Sequence, residues 1–266
     1  MTDITIAIAG ATGWTGSAIV EGALAAPDIT LKSAVARSTA GQDLGTALGR
    51  EPLGVPIHAD VADALDGVDV LVEFTSHEHA RQLALAAIER GVAVVIGSSG
   101  LTAGDFGQID AAAREAGVGA VAAGNFSLTA AMALAAAELA AGLLPQWEII
   151  DYAKSTKPDA PSGTARELAE RLQGVREPQV DLPAAQVAGH PEARGATIAG
   201  TQIHSVRVPS FVVSTEIVFG ATDERLSIRH DAGGTAVPYV TGTLLAVRRA
   251  RGHVGLIRGL DRLLLA

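Results

Sequence analysis

The sequence has no cysteine among its 266 residues, which excludes disulfide bonds and thiolate metal sites and is compatible with a reducing compartment. Its seven histidines are scattered without the spacing of metal ligands, so we expect no metal. Basic residues are few, 20 against 29 acidic residues, and the formal net charge is −9. We therefore expect a small molecule as the partner, rather than a nucleic acid or an anionic membrane surface.

Long apolar segments are missing as well. The alanine-rich stretch 128–144 is interrupted by Glu138 and is shorter than the roughly 20 residues that span a bilayer, so it predicts a buried core helix. The first apolar run begins at Ile4 with no basic segment before it. We therefore expect no signal peptide and a cytoplasmic protein.

The first 125 residues alternate short apolar runs with helical patterns, which is typical of a parallel sheet covered on both faces. The apolar runs predict strands at residues 4–9, 31–36, 70–74, 93–96 and 119–122. Helices are predicted between them at residues 18–26, 79–90 and 105–116. These βαβ units predict a doubly wound α/β fold.

The pattern changes after the alanine-rich stretch. Alternating and β-branched residues predict a mainly antiparallel sheet, with strands at residues 147–154, 198–208, 212–219 and 224–230. We predict a helix at 162–172, a mobile loop in the Pro- and Gly-rich segment 177–196, and a further helical region from about residue 236. The second part of the chain is therefore expected to be α+β.

A glycine-rich turn joins the first strand to the first helix. Its glycines fall where backbone amides must approach a pyrophosphate at a helix N-terminus. The combination of strand, glycine spacing and helix predicts dinucleotide binding, whereas the turn alone could be an ordinary tight connection. The residues of this predicted cradle are Gly10, Thr12, Gly13, Trp14, Thr15 and Gly16.

The end of the second strand bears on which dinucleotide is bound. Folds of this kind usually carry a carboxylate there for the adenosine ribose, but this sequence has Arg37 and Ser38. A guanidinium and a hydroxyl suit a 2′-phosphate, which favours NADPH over NADH. The alternative is a solvated surface arginine.

Small or polar residues also follow three later strands. Ligands of open α/β sheets lie beyond the carboxyl ends of the strands. Each segment alone could be an ordinary turn, but together they predict contacts with a ribose or a nicotinamide. The residues concerned are Phe74 and Thr75, then Gly97, Ser98 and Ser99, and finally Asn125 and Phe126.

The segment 157–165 predicts an anion-binding turn. Ser162 and Thr164 can cap the helix that follows, and Gly163 leaves backbone amides uncovered. Lys157 adds a positive charge a few residues away. An N-cap without a ligand would explain the serine, but the lysine and the glycine favour the capture of a carboxylate.

Taken in order, these motifs resemble the 4-hydroxy-tetrahydrodipicolinate reductase (dihydrodipicolinate reductase) family along nearly the whole chain. The segments that carry the resemblance are 10–16, 72–75, 96–100, 125–127, 157–164 and 204–207, and the run Asp-Ala-Pro-Ser-Gly-Thr at 159–164 is the most specific. The resemblance implies hydride transfer from NADPH or NADH to an unsaturated cyclic imine with two carboxylates, a step of lysine biosynthesis.

The resemblance also implies a division into domains. Residues 1–126 and 238–266 would form a Rossmann dinucleotide-binding domain, and residues 127–237 an α+β domain that binds substrate and whose sheet forms a homotetramer. By the same match, Gly97 and Ser99 would lie by the nicotinamide, and His204 is a candidate substrate contact. The residues implied to hold a substrate carboxylate are Lys157, Ser162, Gly163 and Thr164.

One departure from the family concerns the proton donor. The family usually has two adjacent histidines before the lysine, and the first is taken as the proton donor, but the matching residues here are Ala153 and Lys154. The loss of a positioned general acid typically costs roughly 10²- to 10⁴-fold in rate. We therefore predict that Lys154, Tyr152 or a water donates the proton, with Lys157 as the third candidate catalytic residue. Trp14 and Thr15 also replace a basic residue and a methionine of the family's phosphate turn.

Three functions are compatible with these observations. The first is a lysine-pathway reductase that uses NADPH. The second is a divergent imine reductase or amine dehydrogenase of the same family that acts on another carboxylated imine, which the missing histidine pair favours. The third is a catalytically silent module that senses the nicotinamide pool. Only a turnover measurement separates them, because all three bind the cofactor.

Overall fold

The computed structural model describes residues 3–265. The strands are β1 (Ile4–Ala9), β2 (Ile29–Val35), β3 (Ile57–His58), β4 (Val70–Glu73), β5 (Ala93–Ile96), β6 (Gly119–Ala122), β7 (Gln146–Ala153), β8 (Ala196–Ile198), β9 (Thr201–Arg207), β10 (Val213–Ala221), β11 (Glu224–Ala232) and β12 (Gly255–Arg258). The α-helices are α1 (Trp14–Ala25), α2 (Leu44–Ala47), α3 (Val61–Ala64), α4 (His77–Ile88), α5 (Ala103–Ala116), α6 (Leu128–Leu143), α7 (Gly163–Val175), α8 (Val237–Ala250) and α9 (Leu260–Leu265). The chain divides into unit 1 (Met1–Leu128 and Ala236–Ala266) and unit 2 (Thr129–Thr235).

Unit 1 contains a seven-stranded sheet in the order β12-β6-β5-β4-β1-β2-β3, with every neighbouring pair parallel. The central strands are almost continuously apolar and are buried on both faces, as the predicted doubly wound fold requires. The chain moves from β1 outward to β2 and β3, then returns to β4 on the other side of β1. The order of the strands therefore reverses at β1, and a ligand crevice is expected beyond the carboxyl ends of β1 and β4.

The C-terminal segment completes unit 1. Helix α8 packs against α1 and contacts β4, β5 and β6. Strand β12 then pairs in parallel with β6, with Gly255 opposite Gly119. The sequence predicted only helix in this region, because a four-residue strand is too short for its periodicity to be recognised.

Most predicted elements of unit 1 are present. Strands β5 and β6 match the predicted bounds end for end. Helix α1 begins at Trp14, four residues before the predicted start, because Gly13 is its N-cap. Strand β3 and the four-residue helices α2 and α3 were not predicted, since each is too short to carry a periodic signal.

Unit 2 contains a five-stranded sheet in the order β11-β10-β7-β9-β8. Its neighbouring pairs are antiparallel except for β7 and β9, so the predicted mainly antiparallel sheet is confirmed with one exception. Between β7 and β9 the chain passes through α7 and the long segment that follows it. A crossover of that length is what a parallel pair needs.

Two predictions for unit 2 need correction. The strand predicted at 198–208 is β9, which begins only at Thr201, because the backbone reverses at Ala199 and Gly200, whose φ angles are +48° and +71°, and pairs β9 with β8. A left-handed backbone of this kind ends a strand. The predicted loop contains two short 3₁₀-helices, Ala184–Gln186 and Pro191–Arg194.

The alanine-rich helix α6 is buried on one face only. Its alanines include the buried Ala137 and Ala141, whereas the side chains of Leu139 and Leu143 are 72% and 75% exposed. The predicted core helix therefore contributes one buried face to the core, and its other face is exposed. In residues 3–265 no helix has the length and apolar character needed to cross a membrane.

Helix α7 closes the core of unit 2. Its buried residues follow the spacing of one helix face and pack with the inward side chains of the sheet, among them Trp147, Ile149 and Phe219. The buried residues of α7 are Ala165, Leu168, Ala169 and Leu172. This packing fixes the N-terminus of α7 beside the end of β7.

Candidate active site

Two glycines of the first turn have no room for a side chain. Gly10 has a φ of +81°, and a Cβ on it would lie 2.3 Å from the carbonyl oxygen of Phe74. A Cβ on Gly16 would lie 2.0 Å from the carbonyl oxygen of Gly10. Only glycine allows these approaches, which bring the start of α1 against the ends of β1 and β4.

The N-terminus of α1 keeps its backbone donors uncovered. Its N-cap is Gly13, which has no capping side chain, and the first turn contains no acidic residue. The first-turn amides and the positive end of the helix dipole can therefore bind an anion. Thr12 and Thr15 are half-buried in this turn, and the exposed ring of Trp14 lies edge-on to Tyr239 at 6.1 Å.

Arg37 and Ser38 follow β2 at the same edge of the sheet. Both are exposed, and among the described residues the Arg37 side chain has no hydrogen bond or ion pair. The amide of Gly10 donates to the carbonyl oxygen of Val35 at 2.9 Å, which ties the end of β2 to the cradle. A free guanidinium therefore stands at the edge where the cradle opens.

The segments after β4, β5 and β6 meet at this edge. The ring of Phe74 covers Gly97, where a Cβ would lie 2.1 Å from its Cε1 atom, and it packs against Phe126 with the ring centroids 5.7 Å apart. Asn125 accepts a hydrogen bond from the amide of Ser127 at 2.8 Å. The structure thus brings the predicted residues of three segments together in unit 1.

Glu73 belongs to the same group, and sequence reasoning missed it. It is fully buried at the end of β4, and its Oε1 accepts hydrogen bonds from the hydroxyls of Thr75 at 2.5 Å and Ser98 at 2.8 Å. The available signal was an acidic residue inside an otherwise apolar strand, since an acid is rarely buried without a reason.

The predicted anion-binding turn lies at the N-terminus of α7. Ser162 is the N-cap, and its Oγ accepts from the amide of Ala165 at 3.2 Å. Gly163 and Thr164 are exposed, and their first-turn amides have no acceptor within the helix. The amine of Lys157 lies 2.7 Å from Asp159, and this hydrogen bond holds the pKa of the Asp159 carboxyl below its usual value.

Asp151 and Arg207 hold this turn in place, and sequence reasoning missed both roles. Oδ2 of the fully buried Asp151 accepts from the amide of Ser162 at 2.8 Å and from Arg207 at 2.7 Å. Arg207 also donates to the carbonyl oxygen of Asp159 at 2.9 Å. Burial alone would raise the pKa of Asp151, but the hydrogen bonds from Arg207 and Ser162 outweigh it and lower the pKa.

The candidate proton donors lie in different places. Ala153 is fully buried, while Lys154 follows β7 and is exposed, and its carbonyl oxygen accepts from the amide of Lys157 at 3.0 Å. Tyr152 points to the other face of β7 from Asp151, as successive strand residues do, and donates to Glu216 at 3.1 Å. Burial and Glu216 raise the pKa of Tyr152.

His204 lies on that same outer face. Its Nε2 is 2.7 Å from Glu148, which also pairs with Arg194. The structure therefore brings neither His204 nor Tyr152 to the turn at Ser162. Among the side chains that the structure describes, no group of three or more His, Asp or Glu could hold a metal ion.

Comparisons with known proteins give a consistent result. The family description "Dihydrodipicolinate reductase, N-terminus" matches residues 4–126, and "Dihydrodipicolinate reductase, C-terminus" matches residues 125–264. The 4-hydroxy-tetrahydrodipicolinate reductase of Moorella thermoacetica is 38% identical over 265 residues, which cover 98% of each chain.

Two solved structures share the fold. The dipicolinate-bound dihydrodipicolinate reductase from Paenisporosarcina sp. TG-14 has a TM-score of 0.86 and 26% identity, covering 98% of this chain and 99% of that one. The amine dehydrogenase from Mycobacterium smegmatis has a TM-score of 0.68 and 18% identity, covering 98% and 96%. At that lower identity the likeness concerns the fold alone.

Proposed function

This chain belongs to the dihydrodipicolinate reductase family, and we propose on that premise which of its residues bind the cofactor, bind the substrate and donate the proton. The protein is an NAD(P)H-dependent oxidoreductase. Its reaction is that of a 4-hydroxy-tetrahydrodipicolinate reductase, the reduction of an unsaturated cyclic imine in lysine biosynthesis. The observation that carries this function is the match of both family halves along residues 4–264.

The cradle of unit 1 suits a dinucleotide. Gly10 and Gly16 leave no space for side chains, and the uncapped start of α1 offers its amides to a pyrophosphate. A bound nicotinamide dinucleotide supplies the hydride. We assign NADPH rather than NADH, because Arg37 is exposed without a partner among the described residues and no carboxylate ends β2.

The turn of unit 2 suits a substrate carboxylate. The uncovered amides of Gly163 and Thr164 and the amine of Lys157 would bind its oxygens. Asp159 pairs with the Lys157 amine, so a substrate carboxylate would compete with Asp159 for that amine. Asp151 and Arg207 hold the backbone of the turn through hydrogen bonds to Ser162 and Asp159.

We assign the proton donor to Lys154 or to a water beside it. Addition of a hydride to an unsaturated imine leaves negative charge on the substrate, which a proton must neutralise. Ala153 has no group that could donate it. Lys154 follows β7 directly and is linked through its carbonyl oxygen to Lys157, whereas Tyr152 and His204 occupy the face of the sheet opposite Asp151, which binds the turn at Ser162. The proposal therefore gives those two residues no part in the chemistry.

We also propose a homotetramer formed through the sheet of unit 2. Strand β11 is nine residues long and, in the part of the chain that the structure describes, it is an edge strand paired with β10. Unpaired backbone groups on such an edge are suited to pairing with another chain. Light scattering should give a mass four times 27.0 kDa.

A cysteine-free sequence and a biosynthetic reaction among its relatives support a cytoplasmic location.

The function is tested by NADPH oxidation with freshly generated 4-hydroxy-tetrahydrodipicolinate, beside a panel of other carboxylated imines. Lys157→Ala should raise the Michaelis constant for the imine by roughly tenfold to a hundredfold, since it removes a charged hydrogen bond, and leave NADPH affinity unchanged. The control is Lys32→Ala, because Lys32 pairs with Asp66 in unit 1. Lys154→Ala should lower kcat if the lysine is the donor, and an unchanged kcat would assign the proton to water.

The remaining functions are separated by the same assay. Activity on another carboxylated imine but not on the lysine-pathway substrate would indicate the divergent reductase or amine dehydrogenase. NADPH binding without turnover of any imine would indicate a sensor.

A further inference from the structure

Glu73 is a buried carboxyl that neither the cradle nor the turn explains. It ends β4, a strand flanked by β1 and β5, and its relative exposure is 0%. Among the described residues no ion pair involves it, and its Oε2 is buried without a partner. A buried acid that is only half satisfied costs stability, so an apolar residue would suit this strand better. Such groups call for an explanation in function.

The other oxygen of Glu73 joins two segments of the crevice. Oε1 accepts hydrogen bonds from the amide of Thr75 at 2.7 Å, from its hydroxyl at 2.5 Å and from the hydroxyl of Ser98 at 2.8 Å. A hydroxyl has one hydrogen to donate and two lone pairs. Both hydroxyls donate their hydrogen to Glu73, so each can only accept a hydrogen bond from a ligand. Thr75 is exposed and Ser98 is half-buried, which leaves those lone pairs within reach.

We propose that Glu73 is a positioning residue that makes Thr75 and Ser98 a subsite for hydrogen-bond donors on the nicotinamide-ribose half of the cofactor. The carboxamide NH₂ and the ribose hydroxyls are donors, whereas phosphate oxygens are acceptors only. The N-terminus of α1 has the opposite character, since its first-turn backbone amides are donors and no acidic residue lies among them. The crevice would therefore bind the phosphates at the donors of α1 and the nicotinamide-ribose half at the acceptors of Thr75 and Ser98. This inference rests on the proposed binding of NADPH.

The experiment measures dissociation constants of the full chain for four probes. NADPH carries every group, its acetylpyridine analogue lacks the carboxamide NH₂, 2′-phospho-ADP-ribose lacks the nicotinamide ring, and 2′,5′-ADP is the adenosine half alone. The variants are Thr75→Val, Ser98→Ala, Glu73→Gln and Glu73→Ala. The matched control is Thr30→Val, because Thr30 also donates to a carboxylate, that of Asp3 at 2.7 Å, but stands near the start of β2.

We expect Thr75→Val and Ser98→Ala each to weaken NADPH binding by about fivefold to tenfold, the effect of one hydrogen bond, and to leave 2′,5′-ADP binding unchanged. A loss seen with NADPH alone assigns the donor to the carboxamide. A loss that persists with the acetylpyridine analogue and with 2′-phospho-ADP-ribose assigns it to the ribose. Glu73→Gln, which keeps an acceptor, should retain more affinity for NADPH than Glu73→Ala.

The outcomes separate this inference from the proposed function. If Thr75→Val and Ser98→Ala bind all four probes as the unaltered chain does, the polarity of the subsite is refuted and the reductase assignment stands. If the unaltered chain does not bind 2′,5′-ADP, the NADPH proposal fails and this inference with it. A Glu73 variant that loses 2′,5′-ADP binding has lost its fold, and the Thr75 and Ser98 variants then decide.

Discussion

The candidate binding sites of the two units combine backbone amides with different charged side chains. In unit 1 the start of α1 offers backbone amides, and Arg37 is an exposed cation at the same edge of the sheet. In unit 2 the turn combines backbone amides with the amine of Lys157. On the proposed function, the charge of Arg37 selects a phosphate and that of Lys157 a carboxylate over a neutral group.

Arg37→Ala should raise the Michaelis constant for NADPH by roughly tenfold or more and change that for NADH little, because only NADPH carries the 2′-phosphate that a guanidinium would bind. Steady-state kinetics with both cofactors measure this. Arg249→Ala is the control, since Arg249 is also exposed but lies in the last turn of α8, directly before β12 begins at the opposite edge of the sheet. Equal effects on both cofactors would refute the 2′-phosphate role.

Asp151 should make stability depend on acid. Its pKa is lowered in the folded state, so the ionised form is the one that folding favours. That contribution is fully present above the unfolded value, about 3.9, and is lost as the pH falls through the folded value. The urea midpoint of Asp151→Asn should therefore lie below that of the unaltered chain at pH 7, and the difference should shrink below about pH 4. A constant difference across that range would contradict the assignment.

Strand β7 shows how an element distributes function. Its alternation places Trp147, Ile149 and Asp151 on the face covered by α7, and Glu148 and Tyr152 on the other. Two residues that are adjacent in the sequence of a strand therefore lie on opposite faces of the sheet. Tyr152 was a candidate proton donor on sequence grounds, but it lies on the face of β7 opposite Asp151, which binds the turn at Ser162.

The turn between β1 and α1 should be intolerant of one methyl group. Gly16→Ala would place Cβ 2.0 Å from the carbonyl oxygen of Gly10, so α1 would have to move, at a cost of about 1–3 kcal/mol, and NADPH binding should be lost. Thermal unfolding and 2′,5′-ADP titration measure both effects. Gly107→Ala in α5 is the control, because an added Cβ would meet no described atom within 4 Å outside its own stretch of helix, and alanine suits a helix better by about 0.5–1 kcal/mol. Normal binding by Gly16→Ala would mean that the close contact is not required.

The C-terminal segment of the chain belongs to the same unit as the N-terminal half. Helix α8 and strand β12 belong to unit 1 although unit 2 intervenes in the sequence. Buried side chains of α8, Leu244 and Val247 among them, cover strands that the first half of the chain supplies. The first 128 residues are thus an incomplete unit.

A chain ending at residue 235 should therefore fail to bind 2′,5′-ADP and should unfold without a cooperative transition, because it lacks α8, β12 and α9. Titration and thermal unfolding followed by circular dichroism measure this. Arg248→Ala is the control, since it removes only the ion pair with Asp28 at the surface and should leave binding intact. Normal binding by the shortened chain would show that the C-terminal segment is dispensable.

The sequence alone indicated the features that are continuous along the chain. The glycine cradle, the turn at 157–164 and the buried strands of the parallel sheet could be recognised because their residues are neighbours and their periodicity is local. The same features supported the family resemblance, which the comparisons bear out. Short elements such as β3 and β12 carry too few residues for that signal.

Contacts between distant residues required the folded chain. Glu73 meets Ser98 across 25 positions and Asp151 meets Arg207 across 56, and no local pattern encodes either pair. The reversal at Ala199 and Gly200 and the face on which Tyr152 lies depend in the same way on how the strands pair. Pairing and register arise from packing the whole sheet against its helices, so periodicity specifies that a strand forms but not which strand lies beside it.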